Sequence, residues 1–125
     1  MKRIALLLIL FLFIGVASAQ LVPTFTLQNA QSVNANGSVL QLFSHSSVVL
    51  QITISGIITV NFEVSLNGTD YFIILCNNIS TNVSIATVTA STLVSCNVAG
   101  LSFIRARTSG ATGSPSATVS GAAFK

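Results

Sequence analysis

The segment Ile57–Leu75, IITVNFEVSLNGTDYFIIL, restricts most strongly what this chain can fold into. Val60, Phe62, Val64 and Leu66 alternate with Thr59, Asn61, Glu63 and Ser65. A period of two is the mark of a strand with one face on a core and the other in water. Asn67-Gly68 then supplies the strongest short-range turn signal, because both residues tolerate the positive φ of a tight hairpin. The return run, Tyr71–Leu75, is apolar at every position and reads as a strand covered on both faces. A central β-hairpin is therefore expected, with Val60, Phe62, Val64 and Leu66 inward and Asn61, Glu63 and Ser65 outward.

Around it the chain keeps the same texture. Leu21–Ala30 alternates at Phe25 and Leu27 behind Pro23, a residue suited to an edge or a strand start. Asn34–Ser38 reads as a turn, Ser38–Phe43 and Val48–Ser55 as strands separated by a polar break, and Gly56 as punctuation. Asn77–Asn82 reads as a loop, Val83–Thr89, Thr92–Val98 and Leu101–Thr108 as strands, Ser109–Ser114 as a flexible loop, and Ala117–Phe124 as a terminal strand. Roughly eight or nine short strands, with no amphipathic helix between them, argue for a sandwich or a barrel. The expected fold is all-β: a small antiparallel β-sandwich, jelly-roll or Ig-like.

The first nineteen residues stand apart. Lys2 and Arg3 precede an almost unbroken apolar run, Ile4–Ile14, and Ala17-Ser18-Ala19 has the small-x-small pattern of signal peptidase. Residues 1–19 read as a helical secretory signal, leaving 20–125 as one β-sandwich domain of about 105 residues. An uncleaved anchor is the alternative, although the run is shorter than the roughly 20 residues of a spanning helix. On this reading the membrane is met only through the signal, and the product is secreted or held at the cell surface.

Charge then excludes one class of partner. The formal balance of +3 falls to about +1 once Lys2 and Arg3 leave, with Arg105, Arg107 and Lys125 facing Glu63 and Asp70. No basic patch remains to neutralise phosphates, so nucleic acid is not an expected partner. A surface wetted by Ser, Thr, Asn and Gln instead of charges resists self-association poorly. Cys76 and Cys96 are the only cysteines, and in an exported chain an even pair reads as a disulfide. Two separate buried thiols are the alternative.

One family resemblance is carried by FEVSLNGTDYFII and, downstream, VAGLSFIRARTSGATGSPSATVSGAA. Together they resemble a small β-sandwich module of tailed-phage structural proteins and some secreted surface proteins. In that module an F-E-x-S-x-D-G-T-x-W hairpin precedes a G-x-x-x-x-R-x-R strand and a Gly/Ser-rich loop. Phe62, Glu63, Ser65, Gly68 and Thr69 match the hairpin, and Arg105 and Arg107 the later strand. Asn67 stands where the module usually has Asp, and Tyr71 where it has Trp. The cysteine pair and the signal are further departures. The resemblance spans Val48–Phe124 and implies a fold with a structural or adhesive role; its motif carries no chemistry.

Catalytic groups are scarce. Glu63 and Asp70 are the only carboxylates, and hydrolysis of a glycosidic bond ordinarily needs two flanking the scissile bond. Pairing of Glu63 with Arg105 or Arg107 across neighbouring strands is the simpler reading. His45, in Ser44-His45-Ser46-Ser47, lacks the acid and the oxyanion hole of a triad. One histidine cannot complete a zinc site, and a lone Asp70 beside Asn67 is weak support for calcium. No enzyme activity, metal or cofactor is expected. Asn36, Asn67, Asn78 and Asn82 head N-x-[ST] sequons; Asn36, Asn78 and Asn82 fall in expected loops and are the glycosylation candidates, Asn67 being held in a turn.

The expected function is that of a secreted, non-enzymatic structural or interaction protein: a self-assembling surface, filament or virion-type subunit. Its candidate assembly arm is Thr24, Phe25, Thr26 and Leu27, which could pair with the sheet edge of another copy or another surface protein. The alternative is an extracellular glycan-binding module, with Tyr71, Phe103 and Phe124 as its aromatic platform.

Overall fold

The computed structural model describes residues 22–125, so the signal expected over residues 1–19 lies outside the described part. Nine antiparallel strands follow in order: β1 Thr24–Gln31, β2 Ala35–Gln41, β3 Ser47–Ser65, β4 Phe72–Ile73, β5 Cys76–Asn78, β6 Val83–Ile85, β7 Thr87–Val88, β8 Thr92–Asn97 and β9 Phe103–Phe124. The all-β antiparallel expectation holds.

Two strands organise the rest. β3 has 19 residues and β9 has 22. At about 3.3 Å per residue a straight strand of that length would reach roughly 60 Å or more, well beyond a domain of this size. Both therefore bend, and they bend together. Gly56, at φ 79°, sits where the β3–β9 register shifts between Ser55 and Ile57 and again before Thr59. Opposite it, β9 carries Gly110 at φ 63° and Gly113 at φ 78°. Glycine adopts these left-handed conformations without the Cβ clash that other residues meet, so the ribbon turns a corner without losing its pairing. Gly56 and Ser109–Ser114, expected as a break and a flexible loop, are bends within continuous strands.

The folded ribbon gives the sandwich its two layers. One holds β1, the second half of β9, the first half of β3, β8, β5 and β6; the other holds β2, the first half of β9 and the second half of β3, with β7 and β4 on its far side. Both ends of both long strands return to one end of the molecule. Leu42 N donates to Ser102 O at 2.8 Å, Ser102 N to Ser65 O at 3.1 Å, Ser46 N to Phe124 O at 2.8 Å and Val98 N to Ser46 O at 2.9 Å. We call this the open end, and the glycine corner the closed end.

Alternation fills the space between. Val48, Leu50 and Ile52 from the first half of β3, Val60, Phe62 and Val64 from the second, and Ile104, Ala106, Ala117 and Val119 from β9 make one buried cluster with Leu27, Leu42, Val88, Val94 and Val98. Three polar side chains are buried with their bonds made. Gln28 Nε2 donates to Ala106 O at 3.0 Å, tying β1 to the opposite layer; Thr108 Oγ1 donates to Val33 O at 2.6 Å and accepts from Ala35 N at 3.0 Å. Ser65 Oγ accepts from Gly68 N at 2.9 Å. Buried polar groups are tolerated on this condition.

Several expectations need correction. Leu66 is exposed, because β3 ends at Ser65 and the chain leaves the core. The run Tyr71–Leu75 is not covered on both faces: only Phe72 and Ile73 pair with β3, as an outer strand, and Phe72, Ile73 and Leu75 lie in water. Glu63 and Ser65, expected outward and wet, do face away from the core yet are buried. Neighbouring side chains roof over the first, and the turn wraps the second. The turn expected over Asn34–Ser38 is instead mostly strand, since β2 begins at Ala35. The arm Thr24–Leu27 is the first half of β1, paired Thr24 to Ala122, Phe25 to Gly121 and Thr26 to Ser120, with Leu27 in the core. It is an edge strand, held by its pairing with β9 and anchored by Leu27.

Candidate functional site

The carboxylates, Arg105 and His45 are held in internal contacts. Glu63 on β3 and Arg105 on β9 are register partners, and Arg105 Nη2 and Nε both reach Glu63 Oε2, at 2.7 and 2.8 Å. Arg107 Nη1 lies 3.7 Å from Glu63 Oε1. The Arg105 guanidinium also stacks on the Tyr71 ring, 3.8 Å from its centre, a cation–π contact. This pile roofs Glu63 and leaves it only 5% exposed. The cross-strand pairing read from the sequence is therefore present, and it is buried.

Asp70 is held locally. Asn67 Nδ2 donates to Asp70 Oδ2 at 2.8 Å, and Asn67 Oδ1 accepts from Thr69 N and Asp70 N, each at 2.9 Å. Asn67-Gly68 thus builds a longer loop closed by side chains, in which only Gly68 takes a positive φ, 75°. Glu63 and Asp70 belong to separate networks. His45 turns back on its own loop, its ring Nδ1 against the Leu42 carbonyl. Among the described residues no group of three or more His, Cys, Asp or Glu side chains could hold a metal ion.

Cys76 on β5 and Cys96 on β8 are joined by a disulfide, buried between adjacent strands whose partners include Asn77 and Ser95. The bridge read from the sequence is thereby placed: it ties the β5–β6 edge to the core. The sequon asparagines are scattered. Asn36 is exposed on β2. Asn78 Oδ1 accepts from Ser80 N at 3.0 Å and Thr81 N at 3.3 Å, and Asn82 Oδ1 accepts from Asn77 Nδ2 at 3.0 Å. The three aromatics weighed as a glycan platform do not form one face. Tyr71 has a ring face under Arg105, Phe103 lies against Gly68, and Phe124 ends the other layer.

What the fold does assemble is an apolar surface at the open end. A cleft of about 340 Å³ opens there, lined by Val64, Leu66, Phe72 and Leu101 together with Ser65, Asn67 and Asp70, all from the end of β3, β4, the loop between them and the segment before β9. Beside it the chain passes from Leu42 to His45 in a tight turn with φ 38° at Phe43 and 65° at Ser44, closed by His45 N donating to Leu42 O at 2.8 Å. These are the dihedral signs of a type I′ turn, a conformation served by Gly, Asn and Asp. An aromatic residue there costs about 1–2 kcal/mol. The turn points Phe43 into water although Leu42 beside it is fully buried. The sequence reading missed this surface by placing Leu66 and Phe72 in the core. The available signal was Phe43 followed at once by Ser-His-Ser-Ser, an aromatic at a turn with no strand to carry it inward.

No family model matches this sequence, and no curated protein matches it. Two solved structures share its fold. The SPBc2 prophage-derived protein YomS is 16% identical with a TM-score of 0.74, over 81% of this chain and 90% of that one. The PBSX exported protein XepA is 13% identical with a TM-score of 0.74, over 80% of this chain; the match spans 36% of XepA. At such identities the likeness is one of fold: this chain is a β-sandwich of the kind seen in a prophage-derived and an exported protein.

Proposed function

We propose that the protein is an exported, non-enzymatic structural subunit of a phage-related kind, acting by contact with copies of itself or with other surface proteins. The observation that carries this reading is the disposition of its side chains. The carboxylates and the histidine are tied up in internal contacts, while large apolar side chains are left in water, Phe43, Leu66 and Phe72 together at the open end and others such as Ile57 elsewhere. The sandwich shared with a prophage-derived and an exported protein supports the same direction, as does the buried disulfide, a bond of oxidising compartments. Light scattering coupled to gel filtration, with negative-stain microscopy, tests it. Defined assemblies are expected; a protein that stays monomeric near millimolar concentration refutes the assembly role. N-terminal sequencing of material from the medium tests export, with Gln20 as the expected first residue.

A second reading, glycan binding, is favoured by a different feature. A polar cleft of about 470 Å³ runs between β1 and β2, lined by the amides Gln28, Asn29, Gln31 and Asn36. Calorimetry against soluble polysaccharides distinguishes it from assembly.

A further inference from the structure

We propose that the open end is a self-complementary dimer face, on which Phe43 of each copy seats in the Leu66–Phe72–Leu101 cleft of the other. The inference rests on the assembly reading above and names the partner, the face and the symmetry.

Knob and hole occupy one end of the molecule. Leu42 N bonds to Ser102 O, Ser102 N to Ser65 O, and Ser65 and Leu101 both line the cleft, so Phe43 projects one residue away from the hole's own wall. When a projection and a recess share one face, a two-fold axis between them satisfies both at once, and the contact closes as a dimer. Had Phe43 stood at the glycine corner, the same pieces would have given a ring or an open chain of subunits.

The area suits a second copy. Phe43 is 68% exposed, Phe72 71% and Leu66 67%. With about 150–250 Å² per aromatic side chain, the three leave on the order of 400 Å² of apolar surface per copy. With Ser44, Asn67 and Thr69 as a polar rim, this reaches the lower range of specific interfaces, about 600 Å² per partner. Charge does not oppose it. Near this end Asp70 beside the cleft and Lys125 after Phe124 have opposite signs, and His45, in the Phe43 turn, is folded back on the Leu42 carbonyl. A lipid surface is the less suited occupant: a planar membrane has no projection to fill a cleft, and one lysine is a poor match for anionic headgroups. Backbone geometry adds an independent argument. Phe43 holds a left-handed conformation that Asn or Gly would adopt more easily, and strain of this kind marks positions kept for function.

Sedimentation equilibrium of the disulfide-bonded protein tests the proposal, using wild type, Phe43→Asn, Phe72→Ser and an equimolar mixture of the two variants. A wild-type dimer is expected, weakened at least about 30-fold in each variant, as for a central interface residue. The mixture should recover intermediate affinity, because such a pair keeps one intact knob facing one intact hole. Phe43→Asn should also melt, at a concentration where all chains are monomeric, no lower than wild type, since it relieves the turn; a merely structural Phe43 would melt lower. Wild-type assemblies that persist unchanged in both variants overturn the end-face proposal and leave the assembly reading standing, whereas a wild type that never assembles overturns both. A ring or filament abolished by Phe43→Asn overturns the two-fold arrangement. A monomer that binds phosphatidylcholine–phosphatidylglycerol vesicles and loses this binding in Phe43→Asn overturns the second copy in favour of lipid.

Discussion

Arg105→Met tests the buried ion pair most directly. Arg105 makes two short bonds to one oxygen of Glu63 and covers the Tyr71 ring, and among the described residues the second cation near Glu63 is Arg107, at 3.7 Å. Removing Arg105 leaves a carboxylate in a site that is closed to water on most sides. Breaking a buried pair from one side costs about 3–5 kcal/mol. Arg107 is half-exposed and can move closer, so the lower half of that range is expected, about 3 kcal/mol. Against a total stability of about 5–15 kcal/mol this is a large fraction. Glu63→Gln should cost less, about 1–2 kcal/mol, because the amide still accepts a bond from Arg105 and Arg105 retains some contact with water. The double variant Glu63→Leu/Arg105→Met should recover most of the loss, since a buried pair replaced by apolar groups of similar size is often nearly neutral. Urea denaturation of the four proteins, read as a double-mutant cycle, gives the coupling directly. A coupling of about 2 kcal/mol, little changed between low and high salt, is expected. Single variants that each cost under 0.5 kcal/mol and add without coupling would refute the argument, because that is how a loosely held surface pair behaves.

Three other outcomes follow from the packing. Phe62→Ala should cost about 3–5 kcal/mol in chemical denaturation, while Leu66→Ala, two repeats of the alternation further on, should stay within about 0.5 kcal/mol in the monomer; equal costs would place both in the core. Cys96→Ser should lower stability by about 3 kcal/mol on the chain-entropy account, and thiol labelling of the unfolded, unreduced wild type should find no free thiol. Gly37→Ala should destabilise by about 1–3 kcal/mol although Gly37 has no left-handed φ, because its Cβ would lie 2.6 Å from the Ala106 carbonyl oxygen and against that of Leu27; a neutral result would mean that β1 and β2 separate freely.

Much of the layer structure was legible along the chain. The alternation from Thr59 to Val64 identified which side chains enter the core, and the Glu63–Arg105 pairing and the Cys76–Cys96 bridge were both anticipated. The failures lie where alternation stops being informative. Leu66 continues the pattern by one step after the strand has ended, and nothing local records that the neighbour on that side is missing. Tyr71–Leu75 has the composition of a buried strand but lies outermost in its layer, a position determined by which strands pair with β3. Glu63 and Ser65 carry the polar labels of a wet face, and their burial comes from Arg105, Tyr71 and the 67–70 loop folding over them. The open-end cleft was illegible for the same reason, since its walls come from β3, β4 and the segment before β9.

Sequence alone determined the β class, the pleat of the central strand and the near absence of charge, because each depends on residues within a few positions of one another. The tight turn expected at Asn67-Gly68 is instead a longer loop in which only Gly68 takes a positive φ. Tertiary structure alone decided that Gly56 and Gly110–Gly113 are paired bends instead of breaks. A glycine permits a left-handed residue, and only the partner strand bending at the same point converts that permission into a corner. The corner brings Leu42, Ser65, Ser102 and Phe124 to one end. It thereby decides which apolar side chains have something to pack against and which, Phe43 and Phe72 among them, remain in water.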